Sequence, residues 1–176
     1  MRKTALVSAA LLCGVFSVSH AADNNAAPSA TVSVPAVVPF AQDAVIAGAV
    51  KRECQLGEKL SGFIKQYGQE KGVAVTQVAS VGAGSAGRAL VLEITDSVAD
   101  GNAFLGHHTY TTVKGRLYQD GTEVGHFIGR RNSMGGAFGG FKGNCSVLGR
   151  TVKALGEDIA GWLARPGKDD MLGDLE

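Results

Sequence analysis

Outside its first 21 residues, the chain carries two cysteines, three histidines and two glycine-rich segments whose residue types and spacing bear on chemistry. A nucleophilic thiol would need Cys145 free at a helix N-terminus, where its pKa would fall. Cys54 and Cys145 are not in a Cys-x-x-Cys arrangement, and an isolated pair in an oxidising compartment reads as a disulfide. His107 and His108 are adjacent, so on a strand they point to opposite faces and do not chelate one ion together. A zinc or copper site needs three or four convergent ligands, and no such set is expected. His126 is expected opposite Gly115 on the core face of a hairpin, filling space and hydrogen-bonding. No serine lies in an elbow motif.

Gly82-x-Gly84-x-x-Gly87 has the letters of a dinucleotide fingerprint. It leads into a strand, whereas a pyrophosphate needs a helix N-terminus at that point, so it reads as a turn. The segment Gly135 to Gly143 is not a P-loop, because Lys142 is followed by Gly143. The backbone amides of Gly139 and Gly140, with Lys142, form an expected anion nest at the start of a helix, supported by Arg130 and Arg131. No cofactor is expected.

The elements that position these groups follow from periodicity. Val32, Val34, Val37 and Val38 give an extended stretch that Pro35 and Pro39 confine to an edge strand. Leu56, Leu60, Phe63, Ile64 and Tyr67 recur at helical spacing between Glu53 and Tyr67. Val73 to Val78 is a short β-branched run. Arg88 to Val98 alternates, with Leu90, Leu92 and Ile94 on one face. Asp120-Gly121 asks for a two-residue hairpin turn between strands His107–Gln119 and Thr122–Arg131. Counted from that turn, Leu117 faces Val124 and Val113 faces Ile128 on the core side. Tyr110, Lys114, Arg116, Tyr118, Phe127 and Arg131 then form an outer aromatic and basic surface suited to docking a protein, a glycan or an anionic lipid head. A closing helix has Asn144 as its expected N-cap, carries Leu148, Val152, Leu155, Ile159, Trp162 and Leu163 on one face, and stops at Pro166-Gly167.

Arg2 and Lys3, an apolar run from Ala5 to Val18 and Ser19-His20-Ala21 make up the three parts of a cleavable secretory signal, residues 1–21. Leu11 and Leu12 precede Cys13 where a lipidation signal wants small residues. Loss of this leader leaves 15 of the 17 basic residues against 16 acidic ones, a formal charge of −1. Nucleic-acid binding rests on a clear basic excess, so it is not expected. No later segment reaches the length of about 20 apolar residues that a membrane span needs. Residues 22–31 read as a disordered leader, 32–166 as a single domain, and 167–176 as a flexible acidic tail.

The fold expected is α+β: a mainly antiparallel sheet of four or five strands with two helices on one face, tied by Cys54–Cys145. Val38-Pro39-Phe40, Gly82-Ala83-Gly84-Ser85-Ala86 and Gly135-Gly136-Ala137-Phe138-Gly139-Gly140, in that order around these elements, resemble the DUF4410-like family of exported bacterial proteins of unknown function. The resemblance implies a small α/β envelope domain and brings no catalytic residues. The chain lacks the lipobox of many members and adds the cysteine pair. The function expected is an exported, periplasmic binding or accessory module of the cell envelope, with an unknown envelope protein or glycan as partner and secretion beyond the outer membrane open to it. The alternative is an envelope enzyme or thiol protein using His126 or Cys145.

Overall fold

The computed structural model describes residues 31–102, 106–133 and 143–175, with side chains from 100 to 108 left out of that description. The signal segment 1–21, most of the leader, and the Gly139, Gly140 and Lys142 nest lie outside it. Six strands and three helices follow in the order β1 (Val32–Pro35), α1 (Gly48–Glu53), α2 (Leu56–Glu70), β2 (Val75–Val78), β3 (Arg88–Asn102), β4 (Gly106–Gln119), β5 (Thr122–Ser133), α3 (Asn144–Ala164) and β6 (Asp170–Gly173). The strands form one sheet in the spatial order β2-β1-β3-β4-β5-β6.

The α+β class holds, but the sheet is larger than expected and mixed. β3–β4 and β4–β5 are antiparallel, whereas β1–β2, β1–β3 and β5–β6 are parallel. Parallel neighbours need a crossover connection. Here α1 and α2 connect β1 to β2, and α3 connects β5 to β6. β1 is interior, between β2 and β3, not an edge strand. Its proline is tolerated because Pro35 is the last residue of the strand, and its carbonyl accepts from Ser61 Oγ at 2.6 Å. Beyond it, Pro39 and Ala41 exchange backbone bonds with Ile94 of β3 at 2.9 Å.

Within the segment expected as a flexible acidic tail, Asp170–Gly173 form a strand. β6 adds to the edge of β5, and Asp174 then accepts from the Asn132 backbone N–H at 2.6 Å, closing the edge that β6 leaves behind. Buried Leu172 is the apolar contact of this short strand.

The core lies between the sheet and the helices. Leu56, Leu60 and Ile64 of α2 and Leu148, Val152, Leu155 and Ile159 of α3 meet Val34, Leu90, Leu92, Ile94, Val113 and Leu117. Each fully buried aliphatic side chain contributes about 1.5–3 kcal/mol before chain entropy is set against it. The two long helices approach closely at Gly156, where a Cβ would stand 2.5 Å from that of Phe63. Asn144 is the first helical residue of α3 and Gly143 its N-cap, with no side-chain cap.

Cys54 caps the C-terminus of α1 immediately before α2, and Cys145 sits in the first turn of α3; the two are joined as a disulfide across 91 residues of sequence. The bridge therefore ties the starts of the two packed helices. Closing a loop of this length stabilises a fold chiefly by restricting the unfolded chain, by roughly 4–5 kcal/mol as an upper figure. Replacing both cysteines by serine is expected to lower the unfolding free energy by about 2–5 kcal/mol. The urea midpoint of the variant against the oxidised protein measures it.

Candidate functional site

α2 and α3 pack together on one face of the sheet, so among the described residues the other face is where side chains are free to meet a ligand. Its composition is decided by the register of the β4–β5 hairpin. Asp120 and Gly121 form the expected turn, with φ of 49° and 83°, the left-handed pair of a type I′ turn. Asp120 also accepts from the Gly87 N–H at 2.7 Å. Tyr118 pairs with Glu123 as expected, but the register then shifts and Leu117 pairs with Gly125. Val124 is the extra residue of a β-bulge and is exposed.

One inserted residue reverses the facing of everything after it in β5. Phe127 turns inward, 4% exposed, and its ring meets Trp162 edge-on at 4.8 Å between centroids. Gly115, its cross-strand partner, leaves the space the ring occupies; any Cβ there would collide with Phe127. Gly125 and Gly129 flank Phe127 on the same inward face, where Trp162 and Leu155 come close. The expectation that Phe127 lies on the outer surface is corrected accordingly. His126, expected in the core opposite Gly115, lies on the outer face opposite Arg116. Arg131 also faces inward: its guanidinium is bound in two places by Asp158 of α3 at 2.7 Å and by Asp174 at 3.0 Å. Asp158, then Asp174, raises its pKa above the ordinary arginine value.

The outer face consequently consists of cross-strand rows. One runs Val91, Arg116, His126, Asp169; the next runs Glu93, Lys114, Ile128, Met171. Further along, Tyr110 donates to Asp96 at 2.8 Å while Arg130 stacks 4.7 Å above the Tyr110 ring and donates to Thr112. Tyr110, Lys114, Arg116 and Tyr118 thus share the surface on which the sequence places them. His126, Ile128 and Glu123 join them in place of Phe127 and Arg131, and Asp169 comes from the segment read as a tail. The inward series Gly125-x-Phe127-x-Gly129 is the sequence signal that favours this register.

Lys114 and Arg116 form a ridge between two shallow clefts. The first, about 310 Å³, is lined by that pair with His126, Ile128, Asp169 and Asp170. The second, about 430 Å³, lies toward β3 and is lined by Pro39, Val91, Glu93 and Tyr118.

His126 bridges two carboxylates: Nδ1 lies 2.7 Å from Glu123 Oε1 and Nε2 2.9 Å from Asp169 Oδ1. An imidazolium can donate from both ring nitrogens, so a carboxylate beside each favours the charged form. Hydrogen bonding to Asp169, then to Glu123, raises the pKa above the ordinary 6.5. Both ring nitrogens are thus engaged, and Cys145 is bonded to Cys54. Among the described residues no group of three or more His, Cys, Asp or Glu could hold a metal ion, and no helix is long and apolar enough to cross a membrane. The side chains of His107 and His108 lie outside the described residues.

No family model and no curated protein matches the sequence. Among solved structures the chain is similar to a minor lipoprotein from Acinetobacter baumannii, at 12% identity and a TM-score of 0.44, over 78% of this chain and 95% of that one.

Because the folded pKa of His126 is raised, its contribution to stability is complete below the unfolded value of about 6.5 and is lost as pH rises through the folded one. Asp169→Asn is expected to lower the His126 pKa, and Glu123→Gln to lower it less. An NMR titration of the imidazole protons reads both; a value unmoved by Asp169→Asn would show that the bridge does not form in solution.

Proposed function

We propose that this is an exported protein of the bacterial cell envelope that works as a non-enzymatic binding or accessory module. The observation that carries the reading is the open sheet face, where Lys114 and Arg116 stand between two clefts while the reactive groups nearby are engaged. His126 has both nitrogens bound, and Cys145 lies in a disulfide. The disulfide also supports an oxidising compartment, which agrees with residues 1–21 acting as a cleaved signal and with a periplasmic or secreted destination. Membership of the DUF4410-like family belongs to the same proposal. It rests on the glycine motifs and on Val38-Pro39-Phe40, where buried Val38 and the Phe40–Ile94 bridge anchor the chain beside β3.

The partner on this reading is an envelope protein or glycan that lies across β4 and β5 and engages Tyr110, Lys114, Arg116 and Tyr118. Adjacent aromatic and basic side chains offer hydrogen bonds, apolar contact and charge over a short span.

Lys114→Ala/Arg116→Ala/Tyr118→Ala is expected to keep the urea midpoint of the parent and to lose co-purification of the envelope partner. Lys65→Ala, on an exposed position of α2, is expected to retain it. Recovery of the same partner by the triple variant would remove the open face from the function.

A further inference from the structure

Lys114 and Arg116 are two residues apart on the outward side of β4, so their Cβ atoms stand about 7 Å apart and their charges repel. Of the carboxylates around them only Glu123 reaches one of the pair among the described residues, at 3.7 Å from Arg116, and it is also bound to His126. Glu93 is cross-strand from Lys114, and the two form no ion pair among the described residues. Asp96 accepts from Tyr110. Glu123 binds His126 at 2.7 Å and comes no nearer to Arg116 than 3.7 Å, with Tyr118 donating to it at 3.5 Å. Asp169 is taken by His126, and Asp170 accepts from Trp162 Nε1 at 2.6 Å and from the Gly167 N–H at 2.9 Å. Arg130 is occupied by Thr112 and the Tyr110 ring. Lys114 therefore has no carboxylate partner among the described residues, and the 66% exposed Arg116 has only a long ion pair, 3.7 Å, to the Glu123 that His126 already binds.

Beside them, the cleft of about 310 Å³ is at the small end of the range for ligand sites, roughly 300–1,000 Å³. Its floor includes Ile128, next to Met171 of β6. We infer that this cleft binds a small ligand carrying an oxyanion, a carboxylate or a phosphate, held between the Lys114 ammonium and the Arg116 guanidinium, with the ligand's apolar part over Ile128. The inference rests on the reading of the open face as the binding surface, and deepens it by naming the ligand's chemistry. A guanidinium presents paired donors to two oxyanion oxygens, and an ammonium beside it supplies a point charge. Asp169 on the far wall limits the charge the site accepts, which favours one anionic group over a polyanion.

The test is a backbone-amide NMR titration of the exported protein with inorganic phosphate and, separately, with acetate, at low ionic strength. Saturable shifts are expected at residues 114–116 and 126–128. Lys114→Ala/Arg116→Ala is expected to weaken binding about ten- to a hundredfold, with the amide dispersion of the folded protein preserved. Added salt is expected to weaken it further, because the charges are exposed. A response to phosphate alone assigns a phosphate-bearing ligand; a response to acetate alone assigns a carboxylate. If neither anion moves these amides, or if the double variant binds as the parent does, the inference is overturned. Loss of the partner by the triple variant in that event would leave the docking reading intact. Retention of the partner together with anion binding would remove the docking reading and keep the cleft.

Discussion

Phe127 is buried over Gly115, where any Cβ would collide with its ring, and against Trp162. A large aromatic side chain on a two-layer domain gains more from the core than any neighbour on its strand, so its placement governs the register of β5. The bulge at Val124 is the adjustment that lets the Asp120-Gly121 turn and the burial of Phe127 hold together. From it follow the outward turn of His126, the inward turn of Arg131, and the contents of the open face. β6 follows as well, because its first residue binds Trp162 and its continuation binds Arg131.

Layering gives this register its consequence. Both helical crossovers lie on the same side of the sheet, so among the described residues no second layer buries the outer face. Such a face must be polar enough to meet water, and most of its members are charged or hydroxylated. Sheet edges are a second exposure that the fold manages: the outer edges belong to the four-residue strands β2 and β6, and Asp174 satisfies the backbone beyond the latter.

Charge on the outer face is organised by pairs whose partners come from different strands. His126 binds a carboxylate from its own strand's start and another from the approach to β6, and Tyr110 sits between Asp96 of β3 and Arg130 of β5. These contacts engage His126, Tyr110 and Arg130, and leave Lys114 with no ion pair among the described residues and Arg116 with one long pair to Glu123. A chain of near-neutral formal charge thus presents two neighbouring cations, Lys114 and Arg116, on one strand, because charges are distributed by geometry and not by composition.

The two long helices, the hairpin turn and the partnership of the cysteines were legible in the sequence, since each is a local pattern: apolar residues at helical spacing, an Asp-Gly between alternating runs, and two thiols at the starts of helices; the short α1 was not. Tyr110, Lys114, Arg116 and Tyr118 were placed on one surface for the same reason, as alternate residues of one strand. Tertiary structure decided the remainder. A bulge is a choice between two registers that differ by one residue, and only the fit of Phe127 to Gly115 and Trp162 selects between them. β6 is four residues long and carries no periodicity of its own, so its existence depends on the open edge of β5 and on Asp170 and Asp174 finding their donors. The interior position of β1 depended on where its proline fell relative to its neighbours, which no local pattern encodes. Properties confined to one segment could be read from the chain, and those requiring two segments to meet were settled by packing.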